Sequence, residues 1–184
     1  MQSVKVKGNT FLNPEQVLKN LDIAYGEQVV DMGCGGGYFV LQAARIIGNK
    51  GTAYGVDILK SALSSLKSKA LMFGLSNVRV VWSDAEVYGG AKNISDSSSD
   101  LVLLVQLLSQ VKKRHEVFRE AVRILKKGGR IAVLDWKENK LSFGITNDQL
   151  IPLEEVKELA VKVGLRFFKE IEAGPYHFGL VFKK

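Results

Sequence analysis

The segment that most constrains the fold reads VVDMGCGGGYF, from Val29 to Phe39. After two β-branched residues it places an acid at Asp31 and then a glycine at every second position, Gly33, Gly35 and Gly37. An apolar run that ends in an acid is typical of a buried strand, and glycines beyond it let the backbone turn sharply and approach a ligand closely. The segment therefore predicts a strand, a nucleotide-binding turn and a helix whose N-terminal amides face the ligand.

The glycine spacing does not fit the dinucleotide fingerprint, which has glycine at its first, third and sixth positions. The sixth residue is Tyr38 when counted from Gly33 and Val40 when counted from Gly35. An aromatic residue there would crowd the helix N-terminus where a pyrophosphate binds. The pattern favours a ligand without a pyrophosphate, such as an adenosine with an amino-acid tail. A tight turn that binds nothing is the alternative, because glycine turns are common between elements.

A second apolar run, GTAYGVD, ends in Asp57, twenty residues beyond Gly37. In doubly wound folds, a carboxylate at the tip of the second strand accepts hydrogen bonds from the ribose hydroxyls. Asp57 could instead cap the helix predicted over 59–73, since aspartate is a preferred N-cap residue. Its coincidence with the glycine turn favours the ribose role.

A third run, from Asn77 to Trp82, ends in an acid at Asp84, which is placed to accept a hydrogen bond from the adenine amine. Five motifs now stand in order along the chain: VDMGCGGGYF, GVDI, SDAE, DLVLLV and ILKKGGRIAVLDW. In this order they closely resemble the class I S-adenosylmethionine-dependent methyltransferases, over nearly the whole chain. The resemblance is to the small-molecule branch that includes the ubiquinone and menaquinone biosynthesis methyltransferases.

The resemblance implies that the cofactor is S-adenosylmethionine, that the product is S-adenosylhomocysteine, and that no metal takes part. It implies that Gly33, Gly35 and Gly37 line the methionine and ribose side of the cofactor, and that Asp31 supports their loop. Cys34 stands where the family often has a small residue that contributes mainly backbone, so we expect no nucleophile there.

The other contacts implied by the resemblance follow the strands in order. Asp57 would hold the ribose hydroxyls, with Ile58 against the adenine face. Asp84 would bind the adenine amine, with the backbone of Ala85 at the ring edge. Gln106, just after the fourth strand, would look across the methionine end toward the acceptor.

Alternating patterns predict the architecture. Strands are predicted near residues 27–32, 52–57, 77–82, 100–105 and 129–135, and helices near 38–47, 59–73, 112–126 and 152–163. Asn13 is predicted to cap a short helix that begins at Pro14. Such alternation indicates a parallel sheet with helices on both faces. We therefore expect an α/β fold: three layers, doubly wound, with a seven-stranded, mostly parallel sheet and a final antiparallel strand, as in the resembling family.

The expected organisation is a single methyltransferase domain over residues 1–184. It divides into a short N-terminal cap segment (1–28), a cofactor-binding core (29–136), and a substrate-side loop, helix and C-terminal β-hairpin (137–184). Within the core, Gly128-Gly129 after Lys126-Lys127 predicts the end of a helix with basic residues in its last turn.

The runs 167–171 and 177–182 are joined too tightly for a crossover, so they predict an antiparallel pair. Ligands in open α/β sheets bind beyond the carboxyl ends of the parallel strands. The turn before the last run lies at that edge, which makes Tyr176 and His177 substrate-side candidates. In the alternative interpretation, His177 only begins an edge strand and Tyr176 packs over the turn. His115, on a basic helix, is expected to face solvent.

Methyl transfer is an in-line displacement at a sulfonium carbon, so most of the catalysis can come from holding the acceptor in the right place. A general base is optional. His177, Asp135 or Glu138 could take a proton from a phenol, amine or alcohol acceptor, but their spacing singles out none of them. The catalytic residues stay unassigned.

Composition bears on partners and location. The formal net charge is +7, but the basic residues form short, scattered groups without interleaved aromatic residues, which is typical of a solvated surface and not of a base-stacking one. A single cysteine excludes an internal disulfide, and no apolar run is long enough for a membrane span. We expect a cytoplasmic protein, with RNA methylation supported by charge alone.

The acceptor is narrowed by exclusion. The segment after the fourth strand reads Val105-Gln-Leu-Leu, without the Asn-Pro-Pro-Tyr or Asp-Pro-Pro-Tyr of enzymes that methylate adenine or glutamine amides. Arsenic methyltransferases use several cysteines, and this chain has one. The short cap predicts a small acceptor in an open cleft, or a partner or second copy of the chain that completes the pocket. The competing class is a methyltransferase-like binding subunit that acts through a partner.

Overall fold

The computed structural model describes residues 12–137 and 150–184. In these ranges strands and helices alternate along the chain, as the sequence predicts. The helices are α1 (Pro14–Asn20), α2 (Tyr38–Ile47), α3 (Lys60–Met72), α4 (Arg114–Ile124) and α5 (Leu153–Lys162). The strands are β1 (Gln28–Met32), β2 (Thr52–Asp57), β3 (Val78–Trp82), β4 (Ser99–Val105), β5 (Leu125–Trp136), β6 (Arg166–Glu170) and β7 (His177–Lys183).

The strands form one sheet in the order β3-β2-β1-β4-β5-β7-β6. Strands β1 to β5 run parallel, whereas β7 is antiparallel to both β5 and β6. The predicted seven-stranded, mostly parallel sheet and its antiparallel ending are confirmed. The register brings the ends of the parallel strands and the start of β7 to one edge, where His177 pairs with Trp136.

Two apolar cores cover the sheet, one on each face. Successive residues of β4 alternate between them: Leu101 and Leu103 belong to the core under α1, α2 and α3, and Val102 and Leu104 to the core under α4 and α5. All four side chains are fully buried. A strand buried on both faces needs such a continuous apolar run, which explains the sequence LVLLV and confirms the three-layer architecture.

The predicted helix N-cap at Asn13 is confirmed. The Asn13 side-chain oxygen accepts hydrogen bonds from the amides of Glu15 and Gln16, at 3.0 and 3.3 Å, and Pro14 is the first helical residue of α1. Later in the chain, His115 on α4 is exposed, as expected. None of the helices in the described ranges is long and apolar enough to cross a membrane.

One predicted boundary is wrong. Lys126-Lys127 and Gly128-Gly129 do not end a helix, because α4 stops at Ile124 and Leu125 already begins β5 with extended backbone. Pairing with β4 overrides the helical pattern, since Leu125 pairs with Ser99. Lys126 Nζ also donates to the Asp100 carboxylate at 2.9 Å. Gly128 has a φ of +78°, and its amide donates to the Lys184 carbonyl at 2.9 Å. The glycines therefore bend a strand.

A second correction concerns the alternative interpretation of His177. This residue does not begin an edge strand, because β7 lies between β5 and β6 and the edge is formed by β6. His177 is also buried, with 1% of its surface exposed. The imidazole is therefore packed inside the sheet and does not lie at its edge.

Candidate functional site

The glycine turn between β1 and α2 has backbone conformations that favour glycine. Gly33, Gly35 and Gly37 have φ angles of +74°, +49° and +82°. A Cβ atom on Gly37 would lie 2.5 Å from Cδ1 of Leu66, so α3 packs directly against the turn. The turn is held to β2 by the Val56 carbonyl, which accepts from the amides of Gly33 and Cys34 at 2.8 and 3.0 Å. These contacts fix the loop without filling the space above it.

Asp57, at the tip of β2, braces this turn. One carboxylate oxygen accepts from the Gly35 amide at 2.8 Å, and the other accepts from the Leu59 amide at 2.8 Å. Asp57 thus supports the approach to α3, although the N-cap position itself belongs to Leu59. Each carboxylate oxygen can accept more than one hydrogen bond, so these contacts leave acceptor capacity for ribose hydroxyls.

Asp31, at the end of β1, is a buried carboxyl with an unusual environment. It is 2% exposed, and within the described ranges its Oδ1 has no hydrogen-bond partner. Burial, with a smaller contribution from the charge of Asp57, raises the pKa of Asp31 to about 8. A buried polar atom without a partner is uncommon in folded proteins, and Asp31 is also part of the wall of a cavity.

A cavity of about 460 Å³ opens beside Asp31. Its volume is within the usual range for small-molecule sites. Five of the predicted cofactor residues line it: Asp31, Gly33, Cys34, Gly35 and Gln106. The structure therefore brings these five together around one space.

The other predicted cofactor residues lie outside this lining. Gly37 and Asp57 shape the turn from behind. Ile58 is 56% exposed, and its carbonyl accepts from Nε1 of Trp82 at 2.9 Å. Asp84 accepts from the Glu86 amide at 2.8 Å, and Ala85 is half-buried beside it. The adenine end implied by the resemblance is thus an open surface at the tips of β2 and β3, and its contacts stay predictions.

Cys34 has the surroundings of a structural cysteine. It is 7% exposed, and burial, followed by the charges of Asp31 and Asp57, raises the pKa of its thiol. Sγ lies 3.8 Å from the Gly35 carbonyl oxygen. Since only the thiolate is strongly nucleophilic, this environment agrees with the expectation that Cys34 is not a nucleophile.

Gln106 and His177 are joined by a contact that the sequence did not predict. Nε2 of Gln106 and Nε2 of His177 are 2.7 Å apart, although the residues are 71 positions apart in the chain. Gln106 has a φ of +50°, in a region that residues other than glycine seldom adopt, and its amide donates to the Leu134 carbonyl at 2.7 Å. The sheet thus holds the Gln106 side chain at the boundary between the cofactor-side cavity and β7.

The His177 ring is uncharged near pH of about 7. Burial, with a smaller contribution from the charge of Lys137, lowers the pKa of His177 to about 4. Its ring centroid is 4.2 Å from that of Trp136. Within the described ranges Nδ1 of His177 has no hydrogen-bond partner. A buried imidazole therefore keeps one unused polar atom, as Asp31 does on the other side of Gln106.

A second cavity, of about 480 Å³, lies on the His177 side, among β5, the end of β6, the start of β7 and the segment before α5. His177 lines it, whereas Tyr176 is not among the described lining residues. Tyr176 is half-buried, and its carbonyl accepts from the Lys137 amide at 2.9 Å. The two substrate-side candidates thus differ: His177 borders a cavity, and Tyr176 forms part of the turn.

Asp135 is not one of the described residues that line the two cavities. Its carboxylate accepts from the amides of Ser109 and Trp136, at 3.2 and 2.9 Å, and burial raises its pKa. These contacts give Asp135 a structural role at the end of β5. Glu138, the other carboxylate considered as a base, lies outside the described residues.

The sequence patterns also did not predict that α3 supports the glycine turn. Lys69 Nζ donates to the Gly36 carbonyl at 2.9 Å and lies 5.0 Å from the ring centroid of Tyr38. Tyr38 lines the cofactor-side cavity. A lysine on a helix carries no signal for such a contact, and the sequence pattern identifies Tyr38 only as an obstacle to a pyrophosphate. Across the described ranges, no group of three or more His, Cys, Asp or Glu side chains could hold a metal ion.

Residues 23–172 match the family described as methyltransferase domain. Among curated proteins, a probable cobalt-precorrin-6B C(15)-methyltransferase (decarboxylating) of Saccharolobus solfataricus is 28% identical, over 80% of this chain and 75% of its own. The ubiquinone/menaquinone biosynthesis C-methyltransferase UbiE of Azotobacter vinelandii is 32% identical, over 61% of this chain and 44% of its own. The chain thus spans about three quarters of the first relative and less than half of the second.

Solved structures are similar over nearly the whole chain. A SAM-dependent methyltransferase from Aquifex aeolicus superposes with a TM-score of 0.85 at 24% identity, covering 94% of this chain and 90% of its own. A putative type 11 methyltransferase from Sulfolobus solfataricus superposes with a TM-score of 0.78 at 26% identity, covering 95% and 93%. The first shows a common fold, and the second adds sequence similarity over the same extent.

Proposed function

The chain belongs to the methyltransferase domain family as a class I, S-adenosylmethionine-dependent methyltransferase, and from this premise we propose that it methylates a small organic acceptor held at the β5–β7 edge of the cofactor site. The observation that carries the proposal is the buried carboxyl of Asp31, which lines a glycine-rich cavity and whose Oδ1 has no partner in the described ranges. The cofactor's amino-acid tail ends in an ammonium group, and a buried carboxylate without a partner is suited to bind it.

The residues of the turn fit the rest of the cofactor. Gly35 leaves room for a ligand against the backbone, since a Cβ there would meet nothing within 4 Å, and Asp57 has acceptor capacity for the ribose hydroxyls while it holds the Gly35 amide. Ile58, Asp84 and Ala85 are proposed to contact the adenine, as the resemblance implies. S-adenosylmethionine, when bound, supplies a methyl carbon made electrophilic by the attached sulfonium sulfur.

The protein's own contribution is to position the acceptor. A lone pair of the acceptor forms the new bond to the methyl carbon while the carbon–sulfur bond breaks, and the electron pair of that bond stays on sulfur in S-adenosylhomocysteine. Alignment along this line accounts for most of the catalysis. Gln106 lies between the two cavities, so we propose that it sets the boundary at which acceptor and cofactor meet.

Two observations favour a small acceptor. Arg114, Arg119, Arg123 and Arg130 are each paired with a carboxylate, which reduces the basic surface offered to a nucleic acid. The second cavity, of about 480 Å³, has the volume of a small-molecule site.

We also propose a cytoplasmic location, because the one cysteine cannot form an internal disulfide. A second copy that completes the acceptor side stays a prediction, to be tested by sedimentation equilibrium.

The decisive experiment is a calorimetric titration of the purified protein with S-adenosylhomocysteine. We expect binding near one per chain, weakened at least tenfold in Asp57→Ala. The matched control is Asp22→Ala, which removes an exposed carboxylate paired with Lys169 and should leave the affinity unchanged. Absence of binding to the wild-type protein would reject the cofactor site. An equal loss of affinity in both variants would show that the affinity follows the net charge of the protein and not a contact made by Asp57.

A further inference from the structure

Helix α3 ends in three large apolar side chains that lie on the surface. Leu71, Met72 and Phe73 are 84%, 70% and 48% exposed, and we call these three residues the α3 tip. The side chains that pack this helix on the sheet are others, such as Leu66 and Ala70. A single exposed apolar residue is ordinary, but three in succession form a patch of the kind that marks an interaction surface.

The tip leads into a braced turn. Helix α3 starts beyond the carboxyl end of β2, and the turn after the tip returns the chain to the amino end of β3. The side-chain amide of Asn77, in this turn, donates to the carbonyls of Ala44 and Gly48 at 2.9 and 2.8 Å. None of the three tip residues belongs to the described lining of the cofactor-side cavity. The tip is therefore a fixed surface feature that is separate from the cofactor site.

Three exposed cations surround the tip. Lys67 precedes Leu71 by four residues, the spacing at which side chains on a helix are neighbours. The Arg45 guanidinium lies 4.8 Å from the centroid of the Phe73 ring. Arg79 donates to a carbonyl of the turn that follows the tip, at 2.7 Å. In the part of the chain that the structure describes, none of these three cations pairs with a carboxylate.

Acids are scarce on this side of the molecule. Between Met32 and Ser83 the one acid is Asp57, whose carboxylate is held at the glycine turn. Glu15 borders the same groove as Arg45 and Phe73. Residues 1–11 contain two lysines and no acid. Residues 138–149 are attached at β5, whereas α3 packs on β2 and β3, at the other end of the sheet. The surroundings of the tip are therefore positively charged.

These properties distinguish between possible occupants. A second copy that docks tip to tip would bring the same cations together, and like charges repel. Nucleic acids stack their bases on open aromatic faces, but the one ring of the tip has Arg45 over its face, and Leu71 and Met72 are aliphatic. A bilayer of anionic lipids offers phosphates to the cations and an apolar layer to the side chains between them.

We propose that the α3 tip binds reversibly to membranes that contain anionic phospholipids. The three tip side chains enter the boundary between headgroups and acyl chains, and the three cations around them contact the headgroup phosphates. The inference does not rest on the proposed function, since it uses no residue of the cofactor site. It also shows how folding changes the meaning of a charge pattern: basic residues that are scattered in sequence meet an exposed apolar patch.

The test is cosedimentation of the full chain with vesicles of phosphatidylcholine, alone or with about 30% phosphatidylglycerol, which gives a negative surface. At about 0.1 M salt we expect affinity for the anionic vesicles to be higher by about tenfold or more, and to fall at about 0.5 M salt because salt screens the charges. No binding to anionic vesicles, or equal binding to both kinds, would overturn the proposal. Binding to poly(U) but not to vesicles would assign the cations to a nucleic acid instead.

Two pairs of variants test the location. Leu71→Ser combined with Met72→Ser should weaken vesicle binding about tenfold, because less apolar surface is buried. The matched control is Val161→Ser, which removes a side chain that is 66% exposed on α5, over the other face of the sheet, and should leave binding unchanged. Equal affinities in the two proteins would place the contact elsewhere, and thermal denaturation checks that both are folded.

The second pair changes charge alone. Lys67→Gln combined with Arg79→Gln should weaken binding to anionic vesicles about tenfold, since each cation near such a surface contributes. Lys127→Gln combined with Lys162→Gln removes the same net charge from exposed positions away from the tip and should have little effect. Equal losses would show that the vesicles respond to net charge and would overturn the assignment to the tip.

A fluorescent label reports insertion directly. The single cysteine, Cys34, is buried, so Met72→Cys supplies the one exposed thiol for a polarity-sensitive nitrobenzoxadiazole dye. We expect its fluorescence to rise when anionic vesicles are added, whereas the same dye on Val161→Cys should not respond. An unchanged signal at Met72→Cys, or an equal rise at both positions, would contradict insertion of the tip.

Discussion

Asp31 and His177 are the two residues whose surroundings depart most from those of ordinary titratable groups. Each is buried, and within the described ranges each has one polar atom without a partner. They lie on opposite sides of Gln106, Asp31 with it along the first cavity and His177 bonded to it from β7. Gln106 thus lies between two buried titratable groups that each keep one unpaired polar atom.

The raised pKa of Asp31 predicts that cofactor binding is linked to proton release. Near pH 7 the carboxyl of the unliganded protein is largely protonated, because its pKa is about 8. Pairing with the ligand's ammonium requires the carboxylate, so S-adenosylhomocysteine affinity should rise between pH of about 6 and about 8, by up to about tenfold per unit. Calorimetry in two buffers of different ionisation enthalpy measures the released proton.

The matched variant for this linkage is Asp31→Asn, which keeps the shape of the side chain but cannot ionise. We expect weaker binding with no proton release and little dependence on pH over the same range. A pH dependence that survives in Asp31→Asn would assign the proton to another group.

For single residues, the sequence indicated which side chains belong to the candidate site better than it indicated which of them touch each other. The acids at the tips of β1, β2 and β3 and the glycines between them could be identified because strand ends and turns have local patterns. The contact between Gln106 and His177 could not be predicted, since it depends on where β7 enters the sheet. The bond from Lys69 to the Gly36 carbonyl likewise depends on how α3 packs.

Among the elements, the glycine turn tolerates added side-chain atoms least. Gly37→Ala would place a Cβ 2.5 Å from Leu66 in a left-handed backbone conformation, so the free energy of unfolding should fall by about 1–3 kcal/mol. Urea denaturation measures this change. Gly36→Ala is the control, because Gly36 lacks a positive φ and its Cβ would meet the flexible end of Lys69, at 3.3 Å, and the Tyr38 ring at an ordinary contact distance of 3.6 Å. Equal losses in the two variants would contradict the role of backbone conformation.

Helix α4 holds the segment after β3 through one buried carboxylate. Glu120 is 1% exposed, accepts from the Gly89 and Ala91 amides at 2.7 and 3.1 Å, and pairs with Arg123 at 2.7 Å. Glu120→Ala leaves both amides and the guanidinium without this partner, so the free energy of unfolding should fall by about 3–5 kcal/mol.

The control for Glu120 lies on the same helix. Glu116 pairs with Arg119 at the surface, where ion pairs contribute little, so Glu116→Ala should leave the melting temperature unchanged. Thermal denaturation of both variants compares the two sites. A similar melting temperature for both would show that the network around Glu120 does not stabilise the fold.

For the whole molecule, Asp31 and His177 predict how stability depends on pH. The folded pKa of Asp31 is raised from 3.8 to about 8, so its contribution to the free energy of unfolding falls as pH rises through that range. The folded pKa of His177 is lowered from 6.5 to about 4, so its contribution rises with pH between those values. The two effects oppose each other below pH 6.5, and only that of Asp31 continues up to about pH 8.

We therefore expect the melting temperature of the ligand-free protein to fall between pH of about 6.5 and about 8. Differential scanning calorimetry across this range checks the direction. In Asp31→Asn the decline should be reduced, because the buried group no longer ionises. A wild-type melting temperature that rises over the same range would contradict the raised pKa of Asp31.

The fold as a whole could be predicted from sequence because strands and helices alternate with distinct periods. The exception, at Lys126 to Gly129, shows the limit of such patterns: pairing with β4 and a bend at Gly128 replaced the predicted end of a helix. The second cavity was the least predictable part, because it is formed by segments from β5, α5, β6 and β7 and no local pattern indicates how they meet.

The position of β7 has a consequence for synthesis. β6 leaves the ribosome before β7, yet in the finished sheet its hydrogen-bonded neighbour is β7, which lies between it and β5. A nascent chain that ends before His177 offers β6 no strand to join. Strand β6 and the wall of the second cavity that lies on β7 can therefore be completed only after β7 has been synthesised.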